Sequence, residues 1–176
     1  GFGKKIVENF WQLNLIGLPQ DIFKLDYKKI ELLDGWGKLS VSNLRYSIEE
    51  KKKISFEKFI YSLGIRHIGQ ENAKLLARHL KSSDNFFSIA KNRKTEELSN
   101  IDGIGETQIK SIKNFFLNKT NLQVLYELKK VLQISDTVQV NLKGTLKDKT
   151  FMLTGKLIGM SRAEAKALVE KEGGKI

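Results

Sequence analysis

The chain has 176 residues and a formal net charge of +11, from 31 Lys+Arg against 20 Asp+Glu. Hydrophobic residues make up 40% and charged residues 29%, the balance of a globular protein able to bury a core rather than of a disordered one. The absence of Cys excludes disulfides, zinc knuckles and thiol nucleophiles, and two His leave little for a transition metal.

In chain order, the first pattern is a short glycine string, Gly1-Phe2-Gly3-Lys4, and it recurs. Gly35-Trp36-Gly37-Lys38, His67-Ile68-Gly69-Gln70 and Gly103-Ile104-Gly105-Glu106 repeat it, with the second glycines 34, 32 and 36 residues apart. Apolar residues follow each second glycine at +4 and +7: Val7 and Phe10, Val41 and Leu44, Ala73 and Leu76, Ile109 and Ile112. That spacing predicts an amphipathic helix opened by each glycine turn. Shorter helical patterns precede the last three turns, at Tyr27 to Leu33, Ser55 to Leu63 and Thr95 to Asn100. The repeated unit is therefore helix, tight hairpin, helix, and the first copy lacks its leading helix.

A large apolar residue stands mid-hairpin in every copy (Phe2, Trp36, Ile68, Ile104) and is expected to plug the gap between helices. The flanking glycines permit positive φ and close backbone approach, while the helix that follows aims its free N–H groups at the same spot. Aligned amides and the positive end of the helix dipole make an anion site suited to a nucleic-acid phosphate. One G-x-G is weak grounds for this. Four near-periodic copies in a basic chain are much stronger.

The charge excess is spread evenly, at +3 over residues 1–60 and +4 over each of 61–120 and 121–176. Lys supplies 26 of the 31 basic groups, and Lys meets phosphate as a point charge, whereas bidentate reading of guanine favours Arg. Backbone contacts are expected to outweigh base contacts. No apolar run approaches the roughly 18 residues of a membrane span, and no signal-peptide pattern is present.

Beyond the fourth hairpin, Asn121 to Val131 reads as a further helix and Gln133 to Gln139 as a linker. Thr150 to Thr154 alternates like a buried strand, Ser161 with Glu164 makes a capping box, and Gly173-Gly174 stops the helix between. Trp11 and Trp36 read as core residues, and Lys51-Lys52-Lys53 as a solvated helix end. Asp102 and Glu106 beside the last hairpin would repel a phosphate, so a nuclease carboxylate pair is rejected there. His67 and His79 lack the carboxylate spacing of a metal site.

These units resemble helix-hairpin-helix motifs. The string LGIRHIGQENAKLLARHL, Leu63 to Leu80, is similar to the corresponding part of bacterial NAD-dependent DNA ligases, as is IDGIGETQIKSIKNFF, Ile101 to Phe116. MSRAEAKALVEKEGGKI resembles the opening of a BRCT domain, which follows the helix-hairpin-helix domain in that family. The resemblance implies a mainly α chain. Residues 1–118 would hold four helix-hairpin-helix motifs, 119–142 a helix and linker, and 143–176 an incomplete α/β BRCT segment too short to bury a core alone. The family adenylates a lysine in a K-x-D-G motif that this sequence lacks. The chain thus resembles a C-terminal piece, inactive by itself, of a ligase that seals nicks in replication and repair.

NAD, magnesium and zinc are implied for the parent ligase, and no cofactor or metal for this segment. The expected partner is double-stranded, nicked DNA, bound without sequence preference by a monomer, in a bacterial cytoplasm and at the nucleoid. The residues expected to touch it are Gly3, Lys4, Gly35, Gly37, Lys38, Gly64, Arg66, His67, Gly69, Gln70, Gly103, Gly105 and Thr107. Two other readings stay open on the residues: the DNA-binding half of an excision nuclease, and a non-catalytic scaffold for protein partners.

Overall fold

The computed structural model describes residues 2–136, 145–147, 149–155, 159 and 162–174. Among these the chain is mainly α-helical and divides into two compact units, Gly1–Asp136 and Thr137–Ile176. The first unit contains helices α1 (Lys4–Gln12), α2 (Tyr27–Glu31), α3 (Lys38–Lys51), α4 (Phe56–Ser62), α5 (Gln70–Leu80), α6 (Ser83–Asn92), α7 (Glu106–Leu117) and α8 (Lys119–Val131). Two 3-10 helices, Pro19–Lys24 and Thr95–Asn100, and two three-residue strands, β1 (Lys53–Ser55) and β2 (Gln133–Ser135), complete it.

Local chemistry sets several of the starts. The Asp26 carboxylate accepts from the N–H groups of Lys28 and Lys29 at the head of α2, Ser82 caps α6 through Asn85 N–H, and Asn118 caps α8 through Asn121 N–H. Gly64, with φ +64°, ends α4 in the left-handed conformation that halts a helix.

The apolar faces form two adjoining cores. One gathers Phe10, Ile16, Leu25, Ile30, Val41, Leu44 and Ile48 from the first two repeats. The other joins α4 to α8, with Phe86 at its centre, its ring centroid 5.3 Å from that of Phe116 and 5.9 Å from that of Phe56. Phe23, on the first 3-10 helix, packs against both cores. All the +4 and +7 positions of the repeat lie on these inner faces, Val7 and Ile109 at their margins.

The first unit departs from the sequence reading at several points. Gln133 to Ser135 is not linker: it pairs as a parallel strand with Lys53 to Ser55, Ile54 opposite Ile134. Lys53 consequently belongs to a strand instead of a solvated helix end, and a bond from Gln133 N–H to Lys52 O at 2.7 Å starts the ladder. Trp11 is 64% exposed on α1, because Phe10 beside it takes the inward position of the helix. The contact boundary falls at 136–137, so α8 is integral to the first unit, packing on α7 and on the first 3-10 helix.

In the second unit, α9 (Arg162–Lys171) forms where the sequence places a helix, and Gly173 at φ +85° follows it. Gly174 has no room for a side chain: a β-carbon there would lie 2.7 Å from Val169 Cγ1. Thr150 makes a β-bridge, and among the described residues, 151–154 extend no strand from it; Met152 is exposed while Phe151 and Leu153 are half-buried. The Ser161–Glu164 cap and residues 137–139 of the expected linker lie outside the described residues, as does Gly1 of the first hairpin.

Candidate nucleic-acid interface

The second, third and fourth hairpins share one turn. In each, the N–H of the apolar plug donates to the carbonyl three residues earlier at 3.0 Å: Trp36 to Leu33, Ile68 to Ile65, Ile104 to Ile101. The residue before the plug is left-handed, with φ +79° at Gly35, +63° at His67 and +84° at Gly103. A positive φ at the third position of a four-residue turn is the signature of a type II turn, which ordinarily demands glycine. His67 is the exception, and it holds the same geometry.

The second glycine does something else. Gly3, Gly37, Gly69 and Gly105 have φ between −79° and −146° with ψ near 180°, extended backbone and not the left-handed form the sequence suggested. They are the N-caps of α1, α3, α5 and α7. Their carbonyls accept the first helical bonds, from Val7, Val41, Ala73 and Ile109. What these positions share is open space: a β-carbon would meet nothing within 4 Å at Gly3, Gly37 or Gly69, and only the Gln108 side chain at Gly105. Glycine here keeps the outer surface of the backbone bare, next to the unpaired N–H groups of the first helical turn.

The plugs behave as expected. Ile68 and Ile104 are buried, while Phe2 and Trp36 are half-buried and both packed on Phe10, at centroid distances of 5.8 and 5.4 Å. Trp36 is thus held in the first core. Hairpins pair off through these contacts: the first and second meet on Phe10, and the fourth abuts the helix of the third, where a β-carbon on Gly103 would come 2.9 Å from Leu75 Cδ1.

The remaining candidate residues sit around these turns. Lys4, Lys38 and Gln70 are the first residues of α1, α3 and α5, all exposed, and Lys4 reaches Glu8 at 3.7 Å. Arg66 and His67 are exposed at the third turn. Thr107 is the second residue of α7, its carbonyl taken by Ser111 Oγ at 2.9 Å. Gly64 lies one turn back, at the end of α4.

Three residues escaped the sequence reading. Ser40 Oγ accepts the Gly37 N–H at 2.9 Å, and Gln108 Oε1 accepts the Gly105 N–H at 3.2 Å. Asn72, at the same third helical position in the third repeat, points elsewhere: its Nδ2 donates to His67 O at 3.0 Å. Among the described residues Gly69 N–H has no partner. A polar side chain three residues past a helix-opening glycine was the available signal.

Among the described residues no group of three or more His, Asp or Glu could hold a metal ion, and no helix is long and apolar enough to cross a membrane. The arrangement offers repeated backbone donors at bare hairpins on a positively charged chain, which suits an extended polyanion.

The helix-hairpin-helix motif family matches residues 58–125, which contain the third and fourth hairpins. The whole chain is 72% identical to part of the DNA ligase of Pelagibacter ubique, covering 26% of that protein. It is 43% identical, over 188 aligned residues, to parts of the DNA ligases of Rickettsia massiliae and Rickettsia rickettsii, covering 27% of each. The chain therefore spans about a quarter of the length of these curated relatives.

Proposed function

We propose that this chain, the counterpart of one quarter of a DNA ligase, is the region by which such an enzyme grips duplex DNA around a nick. The observation that carries the reading is the threefold repetition of one turn, with the same bond and left-handed residue before a bare helix-capping glycine. Backbone amides presented this way select phosphate and carry no base information, so binding is non-sequence-specific. The Lys-rich composition supports the same reading, because its charge attracts the duplex without discriminating bases.

The parent enzyme would seal nicks in replication and repair, with NAD as the AMP donor and magnesium and a zinc site supplied by its other regions. The segment around α9 would be the beginning of a BRCT domain. The chain would act as a monomer on nucleoid DNA in the cytoplasm.

Competition binding tests this reading. Labelled nicked duplex should be displaced by intact duplexes of any sequence and only weakly by single strands of the same length. Equal displacement by single strands, or a preference for one base sequence, would contradict it.

A further inference from the structure

Given the DNA-gripping reading above, on which this inference rests, we infer that the second, third and fourth hairpins are unequal and that, of these, the third, Ile65 to Gln70, carries the main phosphate contact. The second and fourth are self-capped and secondary.

Two independent differences separate the third hairpin from those two. The first is occupancy of the donor. In the second and fourth hairpins the N–H of the capping glycine is already engaged, by Ser40 Oγ and by Gln108 Oε1. A phosphate oxygen seeking those amides must displace a side chain. In the third hairpin Asn72 is turned to the His67 carbonyl, and the Gly69 amide stays free of any described partner. The donor is ready before the ligand arrives.

The second difference is charge. The turn residue before the left-handed position is Asp34 in the second hairpin and Asp102 in the fourth, but Arg66 in the third. Both carboxylates are exposed at the tip and repel an incoming phosphate; each following helix but α3 also carries one acid in its first turn, Glu106 in α7 and Glu71 in α5, of which Glu71 is paired with Lys74 at 2.7 Å. Arg66 is exposed at the same place and forms no ion pair among the described residues. Its guanidinium adds a charge-assisted donor beside the free amide.

His67 extends the contrast. It occupies a left-handed position that its two counterparts give to glycine, and its carbonyl is fixed by Asn72. The exposed imidazole places a further donor next to Arg66 at no gain in core packing. Asn72 is thus a positioning residue, acting through the His67 carbonyl.

Four variants of the whole chain, titrated against nicked duplex by fluorescence anisotropy over a range of salt, decide the matter. Arg66→Ala should weaken binding about tenfold and make the log–log salt slope shallower by about 1. Asn72→Gln supplies the third hairpin with the cap that Gln108 gives the fourth. It should weaken binding severalfold while the melting temperature holds. Asn72→Ala loses the same tie to His67 without adding a cap, and should weaken binding less than Asn72→Gln. Gln108→Ala frees the Gly105 amide and should leave affinity unchanged or tighter while lowering the melting temperature.

The ranking is overturned if Gln108→Ala weakens binding as much as Arg66→Ala, or if Arg66→Ala and Asn72→Gln bind as the unaltered chain does. Weak, salt-insensitive binding by the unaltered chain would overturn the DNA-gripping reading along with it. Strong binding with indistinguishable variants would overturn the ranking alone.

Discussion

Lys24 Nζ lies 2.7 Å from Glu127 Oε2, tying the first 3-10 helix to α8 and so joining the halves of the first unit. Phe23, next to Lys24, touches both cores, so the bond lies over the seam between them. Hydrogen bonds from Lys130 and Lys24 lower the Glu127 pKa to about 2 from an ordinary 4.5.

That shift has a defined consequence for pH. A carboxyl whose folded pKa is depressed contributes stability that is fully present above its unfolded pKa and is lost as pH falls through the folded one. The window for Glu127 runs from about 4.5 down to about 2. Thermal melts of the unaltered chain and of Glu127→Gln should differ most above pH 5 and converge near pH 2. A difference that persists undiminished in acid would mean that the carboxylate charge is not what holds the seam.

The core around Phe86 should be the most sensitive part of the molecule. Phe86 is fully buried and meets Phe56, Phe87 and Phe116 edge-on. Phe86→Ala should cost about 3–5 kcal/mol, enough to unfold much of a marginally stable domain. Chemical denaturation read by circular dichroism measures it. A loss below about 1 kcal/mol would contradict the packing described.

Within one hairpin, plug and cap should separate. Ile68→Ala removes a buried side chain and should cost about 2–5 kcal/mol, with near-normal DNA affinity for the folded fraction. Gly69→Val places a side chain in open space at an extended φ of −79°, which leaves the fold largely intact. It should block close approach of a phosphate and weaken duplex binding about tenfold or more. Normal binding by folded Gly69→Val would make the glycine a turn residue only.

The left-handed residue of each turn predicts another split. Gly35→Ala meets no atoms, so its cost is that of the φ of +79°, about 1 kcal/mol. His67→Gly relieves the same strain but gives the unfolded chain more freedom, and the net change should stay within about 1 kcal/mol. Duplex binding should nevertheless fall. Stability and affinity measured together on His67→Gly distinguish a side chain kept for its ligand from one kept for the fold.

Much of this was legible from glycine spacing. The period near 34 residues locates the hairpins, and the +4 and +7 positions identify the inward faces of α1, α3, α5 and α7. The pairing of Ile54 with Ile134 was not legible, because three-residue strands 80 positions apart carry no periodic signal. Trp11 misled because size suggests burial, while helix phase gives the inner position to Phe10. The site was legible as hairpins but not as unequal ones. Which amide is free depends on side-chain direction at Ser40, Asn72 and Gln108, which the sequence alone does not specify.

The central claim is that the hairpins hold duplex DNA by its phosphate backbone, and its most direct test is the salt dependence of binding to two duplexes of unrelated sequence. With roughly 4–6 phosphates neutralised, log affinity should fall against log salt with a slope of about −4 to −5. The two duplexes should give the same line. A slope near zero, or separate lines for the two sequences, would contradict it.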